Sequence, residues 1–229
     1  MSDARVVRGV STVSRGTSDG DLMALRGTRD GAVFSADWYL AAAFEGRAFG
    51  VNAGTGSTPL TTNAGALVVA EPDLLIQVPA GTTIIPVYFE YAFEDTGVGP
   101  MEVIGVASSA ATQAASGTAG TALTIHNMRT DAPNPSLCTA DYTCTGGVTP
   151  YTGNFVEFYR GYAGDVTDQF ASNTAQTVGS ATRAHWSVGD TMVPPICTGI
   201  SQLCFYVVAN EGVGWCTCIW VEMPSNSIV

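Results

Sequence analysis

The chain contains no lysine. Its nine basic residues are all arginine, set against twenty acids, and the formal net charge is −11. Charged residues make up 13% of the sequence, about half the ~25% of an ordinary soluble domain. Gly, Ala, Ser and Thr take their place, which predicts a largely neutral, small-chained surface. Arg5, Arg8, Arg15, Arg26, Arg29 and Arg47 sit among six acids in residues 1–47, so that segment is neutral and the acidic excess falls on residues 48–229. An acidic body repels nucleic acid and anionic membranes. The matched N-terminal arginines do not read as a phosphate-binding tail, so no strong nucleic-acid binding is expected.

Further absences narrow the chemistry. No run approaches the ~18 apolar residues of a membrane span. Residues 1–20 carry Asp3, Arg5, Arg8, Arg15 and Asp19 with no apolar stretch, so no signal peptide is expected and the chain reads as soluble and made in a cytoplasm. Gly-x-Ser-x-Gly, Walker and dinucleotide fingerprints do not occur. Gly54-Thr55-Gly56-Ser57 is a glycine pair in a loop, without a strand before it or a helix after it. The two histidines, His126 and His185, lack the clustered His and carboxylate of a cupin-type site, and each reads as a hydrogen-bonded structural residue. Glu94-Asp95 is the one local carboxylate pair. Neighbours at a strand end point to opposite sides, so a solvated turn is expected there instead of acid-base or Ca²⁺ chemistry. No catalytic residue, cofactor or bound metal is assigned.

What is present is β-pattern. The 46% apolar fraction supports a sizeable core, and all-β sandwiches of this length are commonly one domain. Residues 1–36, punctuated by glycines and without clear periodicity, are expected to form an extended N-terminal arm; residues 37–229 are expected to form a single β-sandwich. Asp37-Trp38-Tyr39-Leu40-Ala41-Ala42-Ala43-Phe44 predicts a short helix capped by Asp37 and ended at Gly46. Residues 50–65, 108–120 and 129–153 read as loops and as the places where specific recognition would lie. Strands are expected over residues 67–69, 74–78, 84–93, 101–107, 122–128, 154–162, 185–188, 202–209 and 215–223. Residues 74–93 read as strand, turn and strand, with Pro79-Ala80-Gly81-Thr82 as a tight corner and Ile76, Val78, Ile84, Val87 and Phe89 in the core. Pro86 cannot donate to a ladder, which moves the expected start of the second strand to Val87. The last two runs are apolar on both faces, as central strands of a covered sheet are. The expected fold is all-β: an antiparallel two-sheet sandwich of about eight strands, the jelly-roll count.

Six cysteines form the sharpest constellation. Cys138 and Cys144 lie in one loop, close enough in sequence to be a candidate disulfide. Cys197, Cys204, Cys216 and Cys218 are a candidate thiol cluster, with Cys216 and Cys218 on one strand face. The spacings C-x5-C, C-x6-C and C-x-C are not the paired knuckles of a Zn site, so buried thiols or loop disulfides are favoured over metal. Trp186, Trp215, Trp220, Tyr142 and Tyr151 would serve either as core or as a sugar-stacking platform.

The arm, the run from Pro72 to Pro86 with its Val-Pro-Ala-Gly-Thr turn, and the closing Cys218-Ile219-Trp220-Val221-Glu222-Met223-Pro224 resemble the jelly-roll structural proteins of phages and other icosahedral viruses. They also resemble small trimeric head-decoration and receptor-binding domains of the same fold. The resemblance implies a location in the virion, synthesis in the host cytoplasm, self-association and no catalysis. Copies of the chain and other virion proteins would be its partners, with a host-surface receptor or glycan as a further one. The neutral arm departs from capsid proteins that pack genome with a basic tail. The function expected from the resemblance is a self-assembling, non-enzymatic subunit that forms or decorates the virion shell. The alternative is a carbohydrate- or receptor-binding β-sandwich module, as in a spike, a head fibre or a secreted lectin-like domain. A third reading is a hydrolase built on paired Glu or Asp.

Overall fold

The computed structural model describes residues 37–63, 65–95, 101–110, 112, 115, 117–131, 134–145, 155–167, 177–181, 183–190 and 193–225. The arm expected over residues 1–36 lies outside them. The chain divides into two units, residues 1–41 and 42–229. Helix α1 (Trp38–Phe44) forms from a run of good helix formers. The Asp37 carbonyl accepts the Ala41 N–H at 3.0 Å, its carboxylate accepts the Tyr39 hydroxyl at 2.8 Å, and Gly46 follows at φ 71°.

Strands begin with β1 (Ala48–Ala53), β2 (Leu60–Thr61), β3 (Leu74–Val78), β4 (Thr82–Asp95) and β5 (Met101–Ser109). Next come β6 (Thr121–Ala122), β7 (His126–Asn127), β8 (Thr139–Tyr142) and β9 (Phe155–Thr167). The remainder are β10 (Thr177–Ala181), β11 (Arg183–Ser187), β12 (Cys197–Thr198), β13 (Ser201–Val208) and β14 (Val213–Pro224). They form two sheets. The first runs β11-β4-β14-β1-β7, with β12 on β4 and β2 on β14; the second runs β10-β9-β5-β13-β3-β8-β6. Every pairing is antiparallel. The protein is therefore an all-β, two-sheet sandwich. The described residues hold fourteen strand segments, four of them only two residues long, where about eight strands were expected.

The stretch 74–93 is not a hairpin. β3 pairs with β13 and β8 in the second sheet, and β4 pairs with β14, β11 and β12 in the first. The turn between them is a corner that carries the chain across the sandwich. The Thr82 N–H bonds the Pro79 carbonyl at 3.2 Å, and Gly81 sits at φ 82°, the third position of a type II turn that a side chain would strain. β4 starts at Thr82, not at Val87. Proline is tolerated because Pro86 lies between the β12 and β11 pairings and beside a bulge: Ile219 faces Tyr88 but Trp220 faces Pro86, leaving Val87 extra. That extra residue changes the phase, so Ile84 and Phe89 both point inward and are fully buried. Val87 itself is only half-buried, which corrects its assignment to the core.

Aromatic rings join the sheets. Phe89 of β4 stacks on Phe205 of β13 with centroids 3.7 Å apart and planes at 4°. Phe158 of β9 meets Phe205 edge-on at 5.9 Å and Trp186 of β11 at 5.0 Å. A second bulge places Phe158: Gly105 faces Tyr159 and Val106 faces Glu157. A side chain on Gly105 would come within 2.9 Å of the Phe158 ring, so the glycine makes room for it. Phe49, Val51, Leu74, Ile76, Leu203, Cys218 and Trp220 complete this inter-sheet core.

The second sheet has a smaller apolar cluster on its outer face: Leu75, Ile104, Val106, Ala119, Cys144, Cys204, Tyr206 and Val208. β13 is consequently buried at every residue, as its sequence suggested. β14 instead alternates: Cys216, Cys218 and Trp220 are buried while Trp215, Thr217 and Ile219 are half-buried. Residues 67–69, expected as a strand, lie outside the strands and run into a turn. Residues 122–128, expected as one strand, split between β6 in the second sheet and β7 in the first.

Candidate functional site

An open cleft of about 600 Å³ lies where the β1–β7 edge of the first sheet meets the β8–β6 edge of the second. Its walls come from the β1–β2 connection, from residues 121–124 with His126, and from Tyr142 and Thr143 after β8. A tight turn shapes the first wall: Thr55 N–H bonds the Thr58 carbonyl at 2.8 Å, and the Thr55 hydroxyl accepts the Thr58 N–H at 3.1 Å. The Trp215 indole N–H braces that turn from β14, bonding the Thr55 carbonyl at 2.6 Å. The Thr143 hydroxyl donates to the Thr61 carbonyl at 3.3 Å, which ties the walls together. Leu123 and Ile125 pack on the core, Leu123 also reaches the lining, and Thr124 and His126 beside them line the cleft. The volume is within the ~300–1,000 Å³ of small-ligand sites.

Two of the three buried carboxylates among the described residues organise the interior. Asp73, 2% exposed, accepts the Asn63 N–H at Oδ1 and the Val207 N–H at Oδ2, both at 2.6 Å. Burial pushes its carboxyl up to about 7, against the pull of those backbone donors. Glu222 on β14 accepts the Ser136 hydroxyl and the Trp220 indole N–H at Oε1, the latter at 3.0 Å, and the Leu137 N–H at Oε2 at 3.1 Å. It thereby anchors residues 136–138 to β14, beside a smaller cleft of about 250 Å³ lined by Phe49, Pro135, Leu137, Met223 and Pro224. Neither carboxylate stood out in the sequence. The available signals were an acid just before the apolar strand 74–78 and another inside an apolar strand.

All six cysteines are free, buried thiols in this structure. Cys138 belongs to the inter-sheet core and Cys144 to the outer cluster, with the extended strand β8 between them. Four residues at ~3.3 Å per residue hold the two apart beyond the ~4.4–6.8 Å Cα separation of a disulfide. The four-thiol cluster is not assembled as a unit either: Cys197, Cys216 and Cys218 face the inter-sheet core, whereas Cys204 faces outward. Among the described residues, no group of three His, Cys, Asp or Glu is placed to hold a metal ion. Burial raises the Cys197 and Cys204 thiols to about 12. Burial also raises Cys138, Cys144, Cys216 and Cys218, with the Glu222 charge adding to the effect at Cys138.

The histidines lie on opposite edges of the first sheet, His126 on β7 and His185 on β11. Four strand spacings of ~4.8 Å put them roughly 19 Å apart, so they do not share a site. Both are exposed, and His126 lines the large cleft. Trp186 and Trp220 are core residues, and Tyr151 lies outside the described residues. Of the aromatic set, Tyr142 lines the cleft and Trp215 braces it. Glu94 is exposed at the end of β4. The four arginines among the described residues, Arg47, Arg129, Arg160 and Arg183, are each paired with an acid. No described helix is long and apolar enough to cross a membrane.

Among the exposed apolar side chains of the described residues, three are consecutive. Leu67, Val68 and Val69 are 41, 47 and 38% exposed. They lie by the end of β13: the Tyr206 hydroxyl bonds the Val69 carbonyl at 3.0 Å, and the Ala209 N–H bonds the Gly65 carbonyl. On the same outer face Val208, Glu102 and Tyr162 form a row across β13, β5 and β9. Tyr162 is 61% exposed. Comparisons with family models, with curated proteins and with solved structures return no match for this chain.

Proposed function

We propose that this chain is a non-enzymatic structural subunit that self-assembles, as a component or decoration of a virion shell, with its β-sandwich of jelly-roll type. The observation that carries the proposal is the exposed triplet Leu67, Val68 and Val69 on the outer face of the second sheet. Consecutive apolar side chains left in water are unfavourable unless something covers them. Tyr162, exposed on the same face at the far end of the Val208–Glu102–Tyr162 row, adds support to this reading. The resemblance of the arm, the Pro72–Pro86 run and the closing strand to virion proteins supplies the setting. The frequent crossing between sheets, with β3 in the second, β4 in the first and β5 in the second, supports the jelly-roll reading.

A patch repeated on identical subunits is buried most economically by a closed ring or a two-fold pair. Host-cytoplasm synthesis followed by incorporation with other virion proteins belongs to the same proposal. Electron microscopy of the purified, concentrated protein tests it. Closed rings or shells are expected; particles of single-subunit size at every concentration would refute it.

A further inference from the structure

Beyond a role in assembly, we infer that the cleft at the β1–β7 and β8–β6 edges is a binding site for a neutral saccharide. Its lining holds no Asp, Glu, Arg or Lys, in a chain of net charge −11. An uncharged site in an acidic protein disfavours anionic ligands through the overall field and offers a cation no carboxylate. What the cleft does offer is hydroxyl groups. Thr58, Thr61, Thr121 and Thr124, together with Tyr142, line it, and none of these hydroxyls is bonded within the described residues. Each can donate one hydrogen bond and accept two, which matches the alternating needs of sugar hydroxyls.

The apolar side of the match is also present. Threonine carries a methyl beside its hydroxyl. The half-buried Tyr142 ring packs against the core and is held rigid there, and Leu60 is a buried, fixed part of the lining. A pyranose ring has a C–H face and a hydroxyl rim, so it can lie on an aromatic or aliphatic surface while its rim meets threonine hydroxyls. His126, exposed, adds its ring to the lining. The site is preformed, because the Trp215–Thr55 and Thr143–Thr61 bonds fix its two walls, and a rigid site loses less entropy on binding.

A glycan array with neutral oligosaccharides beside sialylated and sulfated ones tests this, followed by titration of the best neutral glycan with Trp fluorescence as readout. Trp215 lies one hydrogen bond from the cleft wall, so an intensity or wavelength change is expected on binding. Tyr142→Phe keeps the packing and removes one hydroxyl; Thr124→Val and His126→Ala change exposed positions with little risk to folding. Each is expected to weaken binding about fivefold or more, the effect of one lost hydrogen bond, with the melting temperature unchanged. Replacement of Leu67, Val68 and Val69 by serine is expected to leave glycan affinity intact, which separates this site from the assembly surface. Absence of neutral-glycan binding, binding confined to anionic glycans, or affinity unmoved by all three cleft variants would overturn the inference.

Discussion

Asp73 makes the protein's stability depend on pH in a direction opposite to the usual carboxylate. Its carboxyl is buried and raised from an ordinary 3.8 to about 7. Above about pH 4 the unfolded chain has released this proton, while the folded protein keeps it until about pH 7. The folded state therefore binds more protons in that window, and stability falls as pH rises through it. Below the window both states are protonated and the effect is absent; above it both are ionised and the loss is complete. A tenfold change in proton affinity is worth about 1.4 kcal/mol, so the full loss is about 4 kcal/mol, more than half of which falls between about pH 5 and pH 8. The other acids of this net-negative chain tilt the curve as well, so the measurement is a difference. Urea unfolding of the native protein and of Asp73→Asn, followed by Trp fluorescence, is compared at the two pH values. The amide must turn its NH₂ toward either the Asn63 or the Val207 N–H, which costs about 1–3 kcal/mol at every pH. The variant is thus less stable throughout, but its pH dependence is shallower by about 2–3 kcal/mol between the two conditions. Parallel curves for the two proteins would refute the reasoning.

Four further outcomes follow from the geometry. Phe89→Ala removes the ring stacked on Phe205 and is expected to cost about 3–5 kcal/mol in chemical denaturation. Glu222→Gln sets an amide N–H against one of the donors from Ser136, Leu137 or Trp220; a loss of about 1–3 kcal/mol is expected, read as a melting temperature lower by several degrees. The six buried thiols are expected to resist a thiol-specific chromogenic reagent in the native protein and to react in full in denaturant, since burial keeps them protonated. Deleting Val87 removes the bulge and turns Ile84 outward against its present full burial; the loss of at least one buried side chain, about 1.5–3 kcal/mol, would appear as a lower denaturation midpoint.

The sandwich was legible where local pattern and tertiary role agree. The alternation in β4 and the two-sided burial of β13 follow from side-chain order alone. β1 was hidden because Ala-Phe-Gly-Val-Asn-Ala has weak strand propensity; its extended form comes from pairing along β14, a long-range effect that a local window does not contain. Residues 67–69 misled for the converse reason, since β-branched composition there serves an exposed surface. Pro86 suggests a strand start at Val87, yet the bulge beside it lets the strand continue through the proline from Thr82. The cysteines were expected as buried thiols or loop disulfides and are free and buried, but sequence spacing does not say which face of a sheet each thiol occupies. The cleft was half visible: residues 54–61, 142 and 143 fall in stretches singled out for recognition, while residues 122–126 fall in a run expected to be a plain strand. Its hydroxyl set is assembled from separate segments and exists only once both sheet edges are in place.

The most direct test of self-assembly is the native mass of the protein measured over a concentration series, beside a variant with Leu67, Val68 and Val69 replaced by serine. Each of these side chains retains about half its exposure, so covering it is worth roughly 1 kcal/mol, and the triple change should weaken subunit association about a hundredfold. The account predicts a defined oligomer for the native protein and a shift to monomer for the variant at the same concentration. A native protein that stays monomeric throughout, or an oligomer indifferent to the three substitutions, would contradict it.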